Sequence, residues 1–334
     1  MDFTQSNSAL IVQVSDLHFG REIHPPASRQ NVLRRGHGRA VPGMHPHCVG
    51  ALRELENEIR SIMLRYPQDA KTLAVVGDLT VIGDDSEFAL ALTYLRARFQ
   101  TSLKLSTGLG GLFDITVMVP GNHDHWGGRY GSFAVNPGAL AIHGVYFDST
   151  PAQPWFFQKH RIGPDGNIQL QLMGLDSCAG AGLNVAARGR LPTGVQAHLS
   201  RDIVQSNQEA TLESRKVARL LLCHHSIENS SGVNAMLHAM DPTSRTDLEG
   251  FMQTNSVHAI LTGHIHSTRL PPAQAAYGAE YRSGSACQSR SPTHEILVHR
   301  ISVEGGYLVM RSVALARTKG GPFGTMQHVH RRLA

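Results

Sequence analysis

Cysteine is scarce in this chain: its 334 residues include four, Cys48, Cys178, Cys223 and Cys287, and no two stand at CxxC spacing. That is too few for a disulfide scaffold at this length, so reduced thiols are expected. Long apolar runs are also missing, none approaching the ~20 residues that cross a bilayer, and membrane insertion is not expected. The opening MDFTQSNSALIVQVS has no basic region followed by an apolar stretch of roughly 7 to 15 residues, which makes the cytoplasm the expected compartment. There is no internal repeat or low-complexity linker. A single catalytic domain over residues 1–334 is the simplest division, with ample capacity for a core.

What is present is the composition of a soluble globular protein, 41% hydrophobic and 17% charged. The net charge of +5 is mild, and suits either an anionic substrate or plain solubility. Histidine stands out with 20 residues, and imidazole is the commonest metal ligand and a proton carrier at neutral pH.

Strand and helix patterns alternate. Leu10 to Val14, Thr72 to Val76, Asp114 to Val119, Leu220 to Cys223 and Ala259 to Thr262 read as short β-runs. Each stops at residues able to bind a metal: Asp16, Asp78, Asn122, His224 and His264. Val49 to Tyr66 and Asp85 to Phe99 carry apolar residues at helical spacing. Such alternation favours an α/β arrangement, in which functional groups gather at strand ends. The later part reads as more β-like, with hairpins at Gly163 to Gly166 and Glu304 to Gly306, hence a mixed sheet and a C-terminal β-rich part at about 279–316.

Asp16-Leu-His18 and His264-Ile-His266 each set two donors at i and i+2, one side of an extended chain, from which they can converge on one ion. Taken singly, Asp78 also reads as a turn residue or helix cap, Asn122 as a turn former and His224 as a core histidine. Nitrogen and oxygen donors without thiolate suit Mn, Fe or Zn.

SDLHFG, VVGDLT, VPGNHDHW, LLCHHS and LTGHIHS stand in the order and approximate spacing of the five motifs of the calcineurin-like metallophosphoesterase family, which the chain resembles over roughly residues 10 to 300. The resemblance implies a four-layer αββα sandwich around two mixed sheets, with two metal ions at the loop ends. One metal site would be Asp16, His18, Asp78 and His266; the second would be Asp78, Asn122, His224 and His264, with Asp78 bridging. His224 rather than His225 is the implied ligand, because in an extended chain the two point to opposite faces. Two cations about 3.5 to 4 Å apart share a hydroxide, lower its pKa and neutralise phosphoryl oxygens during in-line attack. His123 resembles the family's general acid, and Asp124 would hold its imidazole and favour the protonated form. His125 is expected to solvate the loop and Trp126 to pack.

The stretch EYRSGSACQSRSPTHEILVHRISVEGG resembles the end of bacterial class III cyclic-nucleotide phosphodiesterases. Ser226 after the histidine pair is a departure, since relatives often have Pro there. An insertion loop at about 21–48 is a second departure: Arg29, Arg34, Arg35 and Arg39 fall in a span with no carboxylate between Glu22 and Glu54, and either overhang the metals and attract an anionic substrate or belong to an ordinary surface loop. The expected partner is a small anionic phosphoester, with nucleic acid less favoured and no membrane. The expected activity is metal-dependent hydrolysis of a cyclic nucleotide or other small phosphodiester. Nuclease or nucleotide pyrophosphatase activity is the alternative, and a non-catalytic scaffold is least favoured because every metal position and the proton donor are present.

Overall fold

The computed structural model describes residues 2–3, 6–20, 47–100, 106–126, 147–149, 153–163, 166–179, 188–228, 239–275, 277–288, 291, 293–318 and 321–333. The arginine-bearing segment at 21–46 lies outside the described residues. In chain order the strands are β1 (Asp2–Phe3), β2 (Ala9–Val14), β3 (Ala70–Val76), β4 (Phe99–Gln100), β5 (Ser106–Thr107), β6 (Ile115–Val119) and β7 (Trp155–Ile162). They continue with β8 (Ile168–Leu175), β9 (Lys216–Cys223), β10 (Ala259–Thr262), β11 (Ala279–Arg282), β12 (Thr293–Glu304), β13 (Tyr307–Thr318) and β14 (Gly324–Arg332). The described α-helices are α1 (Val49–Arg65), α2 (Asp85–Arg96), α3 (Val195–Leu212) and α4 (Pro242–Thr254).

Two six-stranded sheets result, ordered β14-β13-β12-β2-β3-β6 and β1-β7-β8-β9-β10-β11. Both are mixed: β2, β3 and β6 run parallel, as do β8, β9, β10 and β11, while β12 to β14 and the β7–β8 pair are antiparallel. The period of two along each strand explains the layering. Ala9 and Ile11 join Leu220, Leu222 and Leu261 in the core between the sheets. The alternate residues Leu10 and Val12 pack under α1 and α2 with Leu52, Leu55 and Phe88. Leu221, Cys223 and Ile260 pack under α3 and α4 with Leu199, Ile203, Leu248 and Phe251. Strands apolar on both faces thus build the αββα order implied by the motifs.

A polar bridge crosses the inter-sheet core. His299 on β12 sits between Ser312 Oγ (Nδ1, 2.8 Å) and Gln13 Oε1 (Nε2, 3.0 Å), and the Gln13 amide donates to the Thr262 and Tyr281 carbonyls of the opposite sheet. Each buried polar group there finds a partner, which offsets the cost of its desolvation.

Three expectations need correction. The helix expected at Asp85 to Phe99 ends at Arg96, and Phe99 instead begins β4, paired to β5. The C-terminal β-rich part runs past 316 through β14 to Arg332. The region read as β-like also contains α3 and α4. In α3 the buried stripe is Val195, Leu199, Ile203, Ser206 and Ala210, so small and polar residues dilute the helical pattern, and Gly194 provides no side-chain cap. In α4 the start signal is ordinary: Asp241 accepts from the Ser244 amide and Pro242 opens the helix.

Candidate metal centre

All seven candidate ligands leave the C-terminal ends of parallel strands: Asp16 and His18 after β2, Asp78 after β3, Asn122 after β6, His224 after β9, His264 and His266 after β10. Open α/β sheets place ligand sites at this edge. The convergence of i and i+2 does not come from extended backbone, however. Asp16, His18, Asp78, His264 and His266 all have positive φ, between 48° and 68°, and they make up five of the seven non-glycine residues so disposed among those described. Left-handed backbone in a residue with a Cβ is strained, and its concentration here marks a site whose surroundings over-determine it. Two glycines permit the close packing: a Cβ at Gly77 would collide with the His224 ring, and one at Gly121 with the Asp78 carboxylate.

The donor atoms form groups that share members. Asp16, His18 and His266 form one, Asp78, His224 and His264 another, and His18, Asp78 and His123 a third, with all donor atoms of a group within 4.8 Å of one another. His266 Nε2 lies 3.0 Å from Asp16 Oδ1, and His18 Nε2 lies 3.7 Å from Asp16 Oδ1 and 3.9 Å from Asp78 Oδ2. Around His224 Nε2 stand Asp78 Oδ2 at 3.4 Å, Asn122 Oδ1 at 3.2 Å and His264 Nδ1 at 3.1 Å. Donors bound about 2.1 Å from one ion are separated by about 3.0 Å at right angles and about 3.4 Å tetrahedrally. The spacing fits ion-sized gaps, and Asp78 Oδ2 borders both sets. Neither ring nitrogen of His18 makes a hydrogen bond among the described residues, although the residue is fully buried. A buried imidazole in that condition is costly unless it ligates.

Orientation of the donors is set by their neighbours. His224 Nδ1 donates to the Val76 carbonyl at 2.8 Å, which directs Nε2 toward Asp78. Asp16 Oδ2 accepts from the Ser15 hydroxyl and the His264 amide, leaving Oδ1 toward His266 and His18. Asp78 is not a helix cap, since Asp84 caps α2.

Electrostatics point the same way. Burial pushes against ionisation of Asp16 and Asp78, yet His266 and His18 around the first, and His224 and His123 around the second, hold both carboxyls well below the usual range. Burial likewise disfavours charge on His224, but Asp78 outweighs it and lifts the imidazole to about 9; His266 is raised against burial by Asp16. His18, where burial dominates, falls to about 4. The imidazoles that surround the two buried carboxyls supply the positive charge that keeps them ionised.

His123 Nδ1 donates to the Val81 carbonyl at 2.7 Å, so its Nε2 faces the centre, 3.8 Å from Asp78 Oδ2. Trp126 lies against the same ring at 4.0 Å and packs on Val81 and Ile82, as expected of it. Asp124 does not hold this imidazole. Its carboxylate is taken by the amides of Leu79, Thr80 and Gly121 and by the Thr80 hydroxyl, which fastens the His123 turn to the Asp78 turn.

His125 is not a solvated loop residue either: it is fully buried, with Nε2 3.0 Å from Asp176 Oδ1. Asp176 also accepts from the Cys178 and Ala179 amides. It follows β8 as the other acids follow their strands, so the strand-end rule could have found it. His225 leaves β9 in a bend, with Nδ1 2.7 Å from Ser177 Oγ and its ring 4.6 Å from that of His264.

A search of curated proteins with the sequence found no match. Among solved structures, the fold is similar to purple acid phosphatase PPD1 from yellow lupin (Lupinus luteus) seeds, at 14% identity and TM-score 0.54, covering 98% of this chain and 54% of that one. It is also similar to GAP50, the anchor in the inner membrane complex of Plasmodium, at 13% identity and TM-score 0.50, covering 96% and 89%. Residues 9–268, which span every candidate ligand, match the family described as Calcineurin-like phosphoesterase, and the chain belongs to that family.

Proposed function

We propose that the chain hydrolyses small phosphodiesters, cyclic nucleotides foremost, at a centre of two Mn, Fe or Zn ions. Asp16, His18, Asp78 and His266 would hold one ion and Asp78, Asn122, His224 and His264 the other. When bound, the pair would supply charge neutralisation at the phosphoryl group and a water of lowered pKa. The observation that carries this reading is the position of Asp78 Oδ2, 3.4 Å from His224 Nε2 and 3.9 Å from His18 Nε2, between two donor sets with His123 Nε2 alongside.

The protein's own groups divide the remaining work. His123, with a side chain 14% exposed and anchored through Nδ1, presents Nε2 to a leaving oxygen and can hand it a proton. Asp124 sets the distance between His123 and Asp78 by joining their turns. The preference for diesters rests on the likeness of the sequence around Ser283 to Gln288 to the end of the cyclic-nucleotide enzymes. Ser285 Oγ donates to the Asp16 carbonyl at 2.8 Å and the Ala286 amide to Ser15, so the stretch lies along the Asp16–His18 turn.

The test is a screen of metal-reconstituted protein against bis-p-nitrophenyl phosphate, p-nitrophenyl phosphate and 2′,3′- and 3′,5′-cyclic nucleotides. Diesters should be turned over in preference to the monoester, and Asp78→Asn should abolish the turnover. Hydrolysis of the monoester alone would remove the diester assignment.

A further inference from the structure

The Val81 carbonyl that accepts from His123 is itself held. It belongs to the same planar peptide unit as the Ile82 amide, so whatever fixes that N–H also fixes the direction of the C=O. Glu87 on α2 does this: its Oε2 accepts from the Ile82 amide at 2.9 Å and from the Val81 amide at 3.1 Å. Across the trans unit the Val81 carbonyl points the opposite way, and His123 Nδ1 meets it at 2.7 Å. One peptide group thus links the carboxyl to the imidazole whose Nε2 lies 3.8 Å from Asp78 Oδ2.

The rest of this turn is secured without Glu87. The Thr80 amide and hydroxyl donate to Asp124, the Gly83 amide donates to Thr80 Oγ1, and the Val81 amide has a second acceptor in the Phe19 carbonyl at 3.0 Å. The Ile82 amide has Glu87 alone as its acceptor among the described residues, and both Val81 and Ile82 are buried. Helix capping accounts for part of what Glu87 does. As the third residue of α2 its carboxyl also accepts the amide of the capping residue, Asp84. Capping does not account for the bond to Ile82, two residues ahead of the cap. Burial lifts Glu87 to about 7, and either form offers Oε2 as an acceptor, the neutral one with its proton on Oε1.

We propose that Glu87 is a positioning residue for the proton donor: it sets the Val81–Ile82 peptide so that the Val81 carbonyl holds His123 Nδ1 and Nε2 stays turned to the leaving oxygen. The proposal rests on the assignment of His123 as that donor. An acceptor on the Ile82 N–H also polarises the peptide and makes the Val81 oxygen a better acceptor for Nδ1–H.

The test compares metal-loaded variants on 2′,3′-cyclic AMP, which opens with an alkoxide leaving group, and on bis-p-nitrophenyl phosphate, whose leaving group needs no proton. Glu87→Met keeps the helix propensity and an unbranched chain but accepts no amide. It should lower kcat on the cyclic ester by ~10- to 100-fold, with KM and metal content unchanged, and lower kcat on the p-nitrophenyl ester by no more than about threefold. Glu87→Gln, which retains an acceptor, should hold cyclic-ester turnover within about threefold of wild type. Glu87→Asp, too short to reach both amides, takes the place of Glu87→Met if that variant does not fold.

Equal slowing of both esters, as a purely structural role gives, or no slowing of either, would overturn the proposal. His123→Ala in the same assay separates it from the reading beneath. If His123→Ala slows the cyclic ester selectively and Glu87→Met does not, the positioning role alone is discarded. If His123→Ala slows neither ester, or the wild type opens no cyclic ester, the proton-donor assignment is discarded and the positioning role with it.

Discussion

The Val81 carbonyl oxygen stands 2.7 Å from His123 Nδ1 and fixes which nitrogen of that ring faces Asp78. The general-acid role needs the imidazolium form, in which Nδ1–H stays on the Val81 carbonyl and Nε2–H, the transferable proton, faces the leaving oxygen. His123→Ala should therefore lower kcat by ~10²- to 10⁴-fold on diesters with alkoxide leaving groups, and by much less on p-nitrophenyl esters, which need no proton. His123 also meets the distance condition for a ligand, so metal content is measured on the same variant. Retention of both ions supports the proton-donor role, and loss of one would reassign the residue as a ligand.

Asp124 predicts a different outcome. Three backbone amides and one hydroxyl lose their acceptor in Asp124→Ala, all of them buried between the two turns. The expected cost is on the order of 3 kcal/mol in unfolding free energy, measured by urea titration, together with weakened metal retention. A variant as stable as wild type but slow in turnover would restore the imidazole-holding role.

Acid titration separates a half-buried carboxyl, Glu87, from a fully buried imidazole, His299. Glu87 accepts the Val81 and Ile82 amides, and burial lifts it to about 7, so its contribution is full below pH 4.5 and is lost as pH rises through 7. His299 is lowered to about 3 by burial, so its contribution is full above pH 6.5 and is lost as pH falls toward 3. The difference in stability between wild type and Glu87→Gln should shrink with rising pH between about 4.5 and 7, over a range on the order of 3 kcal/mol. For His299→Gln the difference should grow with rising pH between about 3 and 6.5. A flat difference for either variant would contradict the burial of that group.

Much of the site was legible because its chemistry is local. Apolar runs such as Leu10 to Val14 and Ala259 to Thr262 end at the donors they position, and all of them emerge on one edge of the two sheets. The contacts of Asp124, His125 and His225 were not legible. Their partners, Thr80, Asp176 and Ser177, lie 44 to 51 residues away and are set by packing. The Val81 carbonyl could not be foreseen at all, since a backbone oxygen leaves no mark in residue identity. The i and i+2 spacing of Asp16 and His18 points to convergence from an extended chain, while the structure brings them together through left-handed backbone. In the fold, α3 has a weak helical pattern because Ser206 and Ala210 occupy its buried face, whereas the Asp241 cap and Pro242 do mark the start of α4.

The central claim, that Asp78 lies between two cations, is tested most directly by elemental analysis of the protein after metal reconstitution and removal of free ions. About two equivalents are predicted for the wild type, and Asp78→Asn, which weakens both donor sets at once, should retain less than one. Fewer than one equivalent in the wild type, or an Asp78→Asn variant that keeps both ions, would contradict the account.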